Sequence, residues 1–292
     1  MRPGDGVLLV AHGTVENLDD LGNFLARIRG GRPAPPGFLA ELRGRYEAIG
    51  GSPLLGVTRA QASGLAERLG ARVFVGMRLW EPGVEAALEE AGRSGLERLC
   101  VIPLAPFSVH VYWEATRRSE AAARANGLAT PELVSAPAWG THPSFVEGHA
   151  ELIRAHAHPE ARVVLTAHSL PLVALRAGDP YERLVRESAE AIGAKLGRRS
   201  ELAFQSQGEG NAEWLGPDLK SVLGRIRDEG ASRVAIAPFG FLGEHVETLY
   251  DLDIEARGLA RELGLTFERV PALGTAPALI DALEDLARRA LG

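Results

Sequence analysis

The segments VLLVAHGT (7–14) and VVLTAHSLP (163–171) each end a short apolar run in Ala-His followed by a small residue. An imidazole at such a tip, His12 in one segment and His168 in the other, can bind a metal or carry a proton near neutral pH. A third segment, GEHVETLYDLDIEA (243–256), holds Glu247, Asp251 and Glu255 at four-residue spacing. On an α-helix these carboxylates form one acidic stripe, about 6 Å per step. Like charges at that spacing repel, and a nearby cation removes the cost. Leu249, Tyr250 and Ile254 on the other sides of this stretch point to a helix that is largely covered, and His245 stands two residues before the stripe. A histidine at one strand tip with carboxylates beyond another makes a nitrogen–oxygen donor set suited to Fe2+, Co2+ or Zn2+. A set with few protein ligands can also let its metal go. The competing expectation leaves both histidines buried and bonded to backbone.

Strands must deliver these side chains. VLLVA (7–11), VFVG (73–76), LCVIPLA (99–105), VVLTA (163–167) and VAIAPF (234–239) are apolar without polar alternation. That is the pattern of strands covered on both faces of a parallel sheet. Amphipathic stretches of helical length lie between them: PGVEAALEEAGRSG (82–95), YWEATRRSEAAARANG (112–127), PYERLVRESAEAIGAKL (180–196) and APALIDALEDLARRALG (276–292). Each is opened by Pro or closed by Gly. Alternating strands and helices predict α/β layers. GLERLCVIPLAPFS (95–108) is echoed by GASRVAIAPFGF (230–241), so a strand ending in Ala-His followed by a later strand running into Ala-Pro-Phe occurs twice. These patterns predict two similar doubly wound (Rossmann-like) halves with parallel sheets, 1–145 and 146–292, parted around WGTHPS (139–144), with the final helix free to pack back on the first half. Ligands of open α/β sheets bind beyond the carboxyl ends of strands, which would set His12 and His168 on a cleft between the halves.

The bulk properties exclude several classes. A net charge of −6 argues against a nucleic-acid binder, which needs a basic face. The single cysteine, Cys100, can make neither an internal disulfide nor a cysteine-ligated iron–sulfur cluster, and its place in an apolar run suits a small buried hydrophobe. The first apolar run is too short for a signal peptide, and no run approaches the 18 or more apolar residues of a membrane span. These features predict a cytoplasmic protein with no stable membrane insertion. GxxxxGK[ST], GxGxxG after the first strand, GxSxG and CxxC are all missing, which removes the commonest phosphate, dinucleotide, acyl-transfer and dithiol chemistries.

The residues around the two tips carry a resemblance. LTAHSLP resembles the histidine motif of the ferrochelatase family, and FGFLGEHVETLYDLDIE resembles its acidic helix. FQSQGEGNAEWLGPDL (204–219) is similar to its Gln-Ser…Trp-Leu-Gly-Pro segment; IRGGRP (28–33) and LRGRYEAIGGSPL (42–54) are similar to its N-terminal lip and following turn. The resemblance implies two doubly wound domains around a porphyrin cleft and ATP-independent insertion of Fe2+ into a porphyrin. It is strongest to compact bacterial members that act on coproporphyrin III in haem biosynthesis. By this resemblance His168 binds iron and takes pyrrole protons, Glu247 is its partner across the ring, and Asp251 and Glu255 form an outer metal relay. Arg29, Arg45, Tyr46, Ser52 and Tyr112 match positions lining the porphyrin site. His12 stands where many of these enzymes have a tyrosine that ligates product iron, and a strand-ending His-Gly also resembles the sirohydrochlorin chelatases. Fe2+ and porphyrin are the implied partners, with transient contact to neighbouring haem-pathway enzymes and no tightly bound cofactor. Three alternatives stay open: protoporphyrin IX as substrate, a sirohydrochlorin cobalt or iron chelatase, and a non-catalytic haem-binding protein. In each catalytic case a neutral imidazole can bind the metal or take a proton near pH 7.

Overall fold

Asp5–Ala11 forms β1, and all seven of its residues are buried. Such a strand needs cover on both faces and a partner on each edge. In a computed structural model, which describes residues 1–35, 37–208 and 212–292, it has them. The first unit contains, in order, β1, α1 (Leu21–Ile28), α2 (Phe38–Ala48), α3 (Leu54–Leu69), β2 (Arg72–Met77), α4 (Val84–Arg93), β3 (Arg98–Pro103), α5 (Val109–Ala125) and β4 (Glu132–Ser135). Its sheet is parallel, in the order β2-β1-β3-β4. Leu8, Val10, Leu99 and Val101 pack with Val84, Leu88 and Ala91 of α4 and Tyr112 of α5 in one core cluster.

The second unit contains α6 (Pro143–His156), β5 (Arg162–His168), α7 (Leu172–Arg176), α8 (Tyr181–Leu196), β6 (Ser200–Gln205), α9 (Leu219–Asp228), β7 (Arg233–Ala237), α10 (Val246–Leu249), a π-helical turn (Asp251–Ala256), α11 (Arg257–Glu262) and β8 (Thr266–Arg269). Its parallel sheet runs β6-β5-β7-β8. Val164, Val234 and Ile236 are covered by Val222, Leu223 and Ile226 of α9 and by Leu252, Ala256 and Ala260. Asp218 caps α9 by accepting from Ser221 N, and Gly197, at φ 67°, ends α8 in the left-handed conformation that glycine adopts without strain. On the buried face of α8 are Tyr181, Val185, Ser188, Ala189 and Ile192.

The two strand orders are the same order four strands apart, as two similar doubly wound halves require. The Ala-Pro-Phe echo does not share that equivalence. With the Ala-His pairs aligned, Leu9 corresponds to Leu165; Leu9 lies opposite Ile102, and Leu165 lies opposite Ala237. Ala237 therefore corresponds to Ile102, three residues before Ala105, so the likeness of those tripeptides is compositional.

The chain divides between Trp139 and Gly140 instead of at 145, and Ile280–Gly292 belongs to the first unit. Side chains set the division. Trp139 Nε1 donates to Pro103 O at 3.1 Å, tying the segment to β3, whereas Gly140 O accepts from Ser188 Oγ of α8 at 2.6 Å. The last helix, α12 (Pro277–Leu291), is held to the first sheet by Arg98, which grips Asp5 through two bonds of 2.9 Å and donates to Leu291 O at 2.8 Å. Asp5 is buried, so removing its partner strands a charge. Arg98→Ala should cost about 3 kcal/mol in chemical denaturation and speed hydrogen exchange in the last turn of α12; unchanged exchange there would show that the helix is held by its apolar face alone.

Candidate metallation site

β5 ends in His168, opposite Gln205 at the end of β6. The turn that follows is pinned on several sides. Ser169 N donates to Gln205 O at 2.8 Å, Ser169 Oγ to Leu215 O at 2.8 Å, and Leu215 N to Leu170 O at 2.9 Å. Tyr181 Oη donates to His168 O at 2.8 Å. The backbone is thus fixed while the imidazole stays 35% exposed. Its Nδ1 bonds the Ser169 carbonyl, and its Nε2 stands 3.5 Å from Glu247 Oε2.

Glu247 comes from α10, a single turn opened by His245, whose N–H donates to Thr248 Oγ1 at 3.0 Å. Gln205 Nε2 donates to Glu247 O at 2.7 Å, so the tip of β6 also holds this turn. His245 Nε2 lies 3.7 Å from Glu247 Oε2. Beyond Leu249 the helix widens: Tyr250 O accepts from both Ile254 N and Glu255 N at 3.1 Å, the five-residue spacing of a π-turn. The expected stripe is therefore not carried by one continuous α-helix. Nor is the helix largely covered: Leu252 and Ala256 are buried, but Ile254 is 44% exposed and Glu255 faces solvent. Asp251 is engaged by Ser206 Oγ. Ser206 holds φ 58°, the one non-glycine residue with positive φ among the described residues, and such a conformation persists only where its surroundings enforce it.

These charges interact strongly. Burial pulls the His168 imidazole down, but Glu247, the Ser169 carbonyl and Asp251 together raise it to about 9. Burial alone would raise the Glu247 carboxyl; His168 and His245 hold it well below the ordinary carboxylate range. At pH 7 these shifts favour an imidazolium and a carboxylate in the ligand-free pair, so the neutral imidazole that the chemistry calls on is not the resting form. Among the described residues no three His, Cys, Asp or Glu side chains converge on a metal position. The expected metal set of His168, Glu247, Asp251 and Glu255 is brought together only as the His168–Glu247 pair, with Asp251 near enough to act on His168 electrostatically. Two donors about 2.1 Å from one tetrahedral ion are about 3.4 Å apart, so this pair could hold a divalent metal once the proton leaves.

In the first unit, His12 follows β1 directly, and its Nδ1 is 3.3 Å from Tyr112 Oη. Thr14 Oγ1 and Tyr46 Oη are 3.1 Å apart. Tyr46 and Tyr112 are buried, so they brace the residues after β1 more than they offer surface of their own. Arg29 donates to Pro33 O at 3.2 Å, and Arg45 pairs with Glu41 at 2.8 Å. Ser52 precedes α3, and its buried hydroxyl has no hydrogen-bond partner. Cys100 is fully buried in β3 and its thiol is pushed up to about 12, an inert small hydrophobe as predicted.

A family model for ferrochelatase matches residues 4–291. The chain belongs to the ferrochelatase family. A coproporphyrin III ferrochelatase of Anoxybacillus flavithermus is 36% identical over 299 residues, covering 95% of this chain and 93% of the relative. A ferrochelatase of Deinococcus radiodurans is 35% identical over 300 residues, covering 97% and 95%. Among solved structures, SirB from Bacillus subtilis with Fe3+ has a TM-score of 0.65 at 16% identity, covering 99% of this chain and 96% of that one, a likeness of fold.

In this ferrochelatase the sequence picked out His168 and Glu247 but passed over Gln205, Ser206 and the direct engagement of His245. The strand-tip rule that singled out His168 applies equally to the tip of β6, where Gln205 and Ser206 lie. Glu209, Gly210 and Asn211, in the same motif, lie outside the described residues.

The raised His168 value carries a sign. Its stabilisation is fully present below an unfolded value of about 6.5 and is lost as pH rises through about 9. NMR of the imidazole should place His168 near 9 in the wild type and about a unit or more lower in Glu247→Gln. Discounted for the exposed third of the ring, the stability gap between the two proteins should be on the order of 1 kcal/mol near pH 6 and shrink toward pH 9.5. Equal His168 titration in both would show that Glu247 does not hold the proton.

Proposed function

We propose that this ferrochelatase inserts Fe2+ into coproporphyrin III, and that the His168–Glu247 pair at the tip of β5 performs the insertion. The observation that carries the reading is that pair: a base and a carboxylate 3.5 Å apart, partly exposed, on a rigid strand end. Metallation removes two pyrrole N–H protons and part of the water around Fe2+. The imidazolium of the resting pair repels a divalent cation, so iron must displace its proton first. The neutral Nε2 can then ligate iron or take a pyrrole proton, while Glu247 Oε2 lightens the metal's hydration or takes the second. Asp251 and His245 stabilise the intermediate charge states from either side. Fe2+ enters as a substrate, and this chemistry asks for no resident cofactor.

Coproporphyrin carries four propionates, and arginine meets carboxylates with paired, charge-assisted bonds. Arg29 and Arg45 stand on the lip of the first unit, with the buried Ser52 hydroxyl lacking a protein partner. The exposed large apolar side chains between residues 28 and 39 are Ile28 and Leu39 alone among the described residues. No described helix is long and apolar enough to cross a membrane. A lip so poor in apolar surface fits capture of a polar porphyrin in the cytoplasm. Relatives named simply ferrochelatase, such as those of Deinococcus radiodurans and Thermus thermophilus at 35% identity, keep protoporphyrin IX as the second reading.

Anaerobic assays with Fe2+ and each porphyrin, followed by visible absorption, test both parts. His168→Ala and Glu247→Gln should each lower turnover about 100-fold or more, with coproporphyrin binding by fluorescence quenching retained. Near wild-type turnover in either variant would move catalysis elsewhere. Coproporphyrin III should be used with the higher kcat/KM; a preference for protoporphyrin IX would hand the reaction to the second reading, and turnover only of sirohydrochlorin would overturn both. Asp251→Asn should raise the KM for iron more than that for porphyrin, and Glu255→Gln should do so less, because Glu255 faces solvent.

His12 supports a separate expectation on the product. Its imidazole is a neutral donor, whereas a tyrosinate is anionic and favours ferric iron. Ferric coproporphyrin bound to the protein should show a histidine-type absorption and paramagnetic resonance spectrum. His12→Ala should shift that spectrum, and identical spectra would exclude ligation.

A further inference from the structure

Arg269 ends β8 with its side chain only 10% exposed. Its Nη2 donates to Glu244 Oε2 at 2.6 Å, its Nε faces Asp253 Oδ1 at 3.5 Å, and its Nη1 donates to Val270 O. The other oxygen of Glu244 accepts from Ala272 N at 2.8 Å. Asp253 Oδ1 is also 3.3 Å from Arg257 Nη2. Glu244 lies three residues before Glu247, and Asp253 lies two after Asp251. One guanidinium therefore hydrogen-bonds the chain before the two carboxylates and stands at ion-pair distance from it after them, its buried Nε making no hydrogen bond.

We propose that Arg269 is a positioning residue for metallation, a fork that fixes both ends of the 244–253 segment and so sets the stance of Glu247 toward His168. The proposal rests on the reading of His168 and Glu247 as the metallation pair. The segment cannot hold itself. It consists of one four-residue turn of α-helix and the start of a π-turn, too short to be stable without tertiary ties. Gln205 anchors its middle at Glu247 O, Ser206 engages Asp251 and Leu252 is packed in the core, which leaves the end at residue 244 without a tie from these groups. The bond to Glu244 secures that end, and the charge facing Asp253 supports the other. Arginine suits the task because its planar, permanently charged fork reaches two carboxylates in fixed directions. Lysine is a point charge and can keep only one tie. Arg269 needs no contact with iron or porphyrin for this role: it acts through Glu244 and Asp253.

The test compares Arg269→Gln and Arg269→Lys with Arg233→Gln, a control that loses the ion pair from Arg233 to Glu268 of β8. Readouts are kcat and KM with coproporphyrin and Fe2+, and the side-chain nitrogen shifts of His168 by NMR in the ligand-free protein. Arg269→Gln should lower kcat about tenfold, keep the porphyrin KM within about twofold, and move the His168 signals toward their positions in Glu247→Gln. Arg269→Lys should fall between, and Arg233→Gln should match the wild type in both readouts. A kcat within about twofold of wild type, unmoved His168 signals, or the same changes in the control would overturn the proposal. If Arg269→Gln does not fold, Glu244→Gln takes its place and must show the same split between kcat and KM. Wild-type turnover in Glu247→Gln would sink the metallation reading by itself, and the His168 shift in Arg269→Gln would still report whether the fork positions Glu247.

Discussion

The second unit is built around one pair, His168 Nε2 and Glu247 Oε2, the two atoms for which a proton and a divalent metal would compete on the proposed reading. Their separation of 3.5 Å favours neither outright. It is longer than a good charge-assisted hydrogen bond, which runs about 2.7–2.9 Å, and close to the span of two ligands on one ion. The ion pair holds its proton firmly enough to stand charged at pH 7, yet not in a geometry that locks it. Much of the surrounding fold serves that distance. β5 is buried and paired on both edges, the His-Ser-Leu-Pro turn is bonded to residues 213–215, and α10 is tied to the tip of β6. A partly desolvated charge pair adds little net stability of its own, so this arrangement is better understood as poise than as glue.

The same strand order occurs in the first unit with a different chemistry at the corresponding tip. His12 meets the hydroxyl of Tyr112 at 3.3 Å, and the neighbouring Thr14 meets that of Tyr46. His12 meets a neutral hydroxyl there, whereas the carboxylates of Glu247 and Asp251 raise His168. One scaffold thus presents histidine in two electrostatic settings. That divergence is a matter of the side chains arriving from helices, Tyr112 from α5 and Glu247 from α10, because the strands themselves are alike.

The central strands were legible because burial on both faces leaves an uninterrupted apolar run. β4, β6 and β8 were not: ELVS, SELAFQ and TFER mix polar and apolar residues, whereas β2, an edge strand like them, was read because VFVG keeps an apolar run. His168 stood out as a strand tip and Glu247 as one of three acids, and the family resemblance is what paired them; the structure puts them 3.5 Å apart. The π-turn was not, because a four-residue spacing of acids looks the same whether the backbone bonds to the fourth or the fifth residue. The state of His168 was also out of reach: a histidine in a string has no distance to a carboxylate, and that distance decides its charge. The units part between Trp139 and Gly140, inside the WGTHPS segment, where one indole bond ties Trp139 to β3.

The shortage of converging donors around the pair fits the task of a chelatase. Structural metal sites gather four protein ligands and bind their ion with a large free energy, which would defeat transfer to a porphyrin. Two protein donors leave most of the coordination shell to water and then to the four ring nitrogens, so each replacement can run downhill toward the macrocycle. Asp251 can draw a cation in without ligating it, since its carboxylate is already engaged by Ser206. Glu255, exposed one turn further on, acts through solvent, where screening limits its reach to about 8 Å at physiological ionic strength. On the proposed reading, a gradient of charge that ends on two removable ligands would move iron in one direction, and a tighter cage built from the same four residues would stop it.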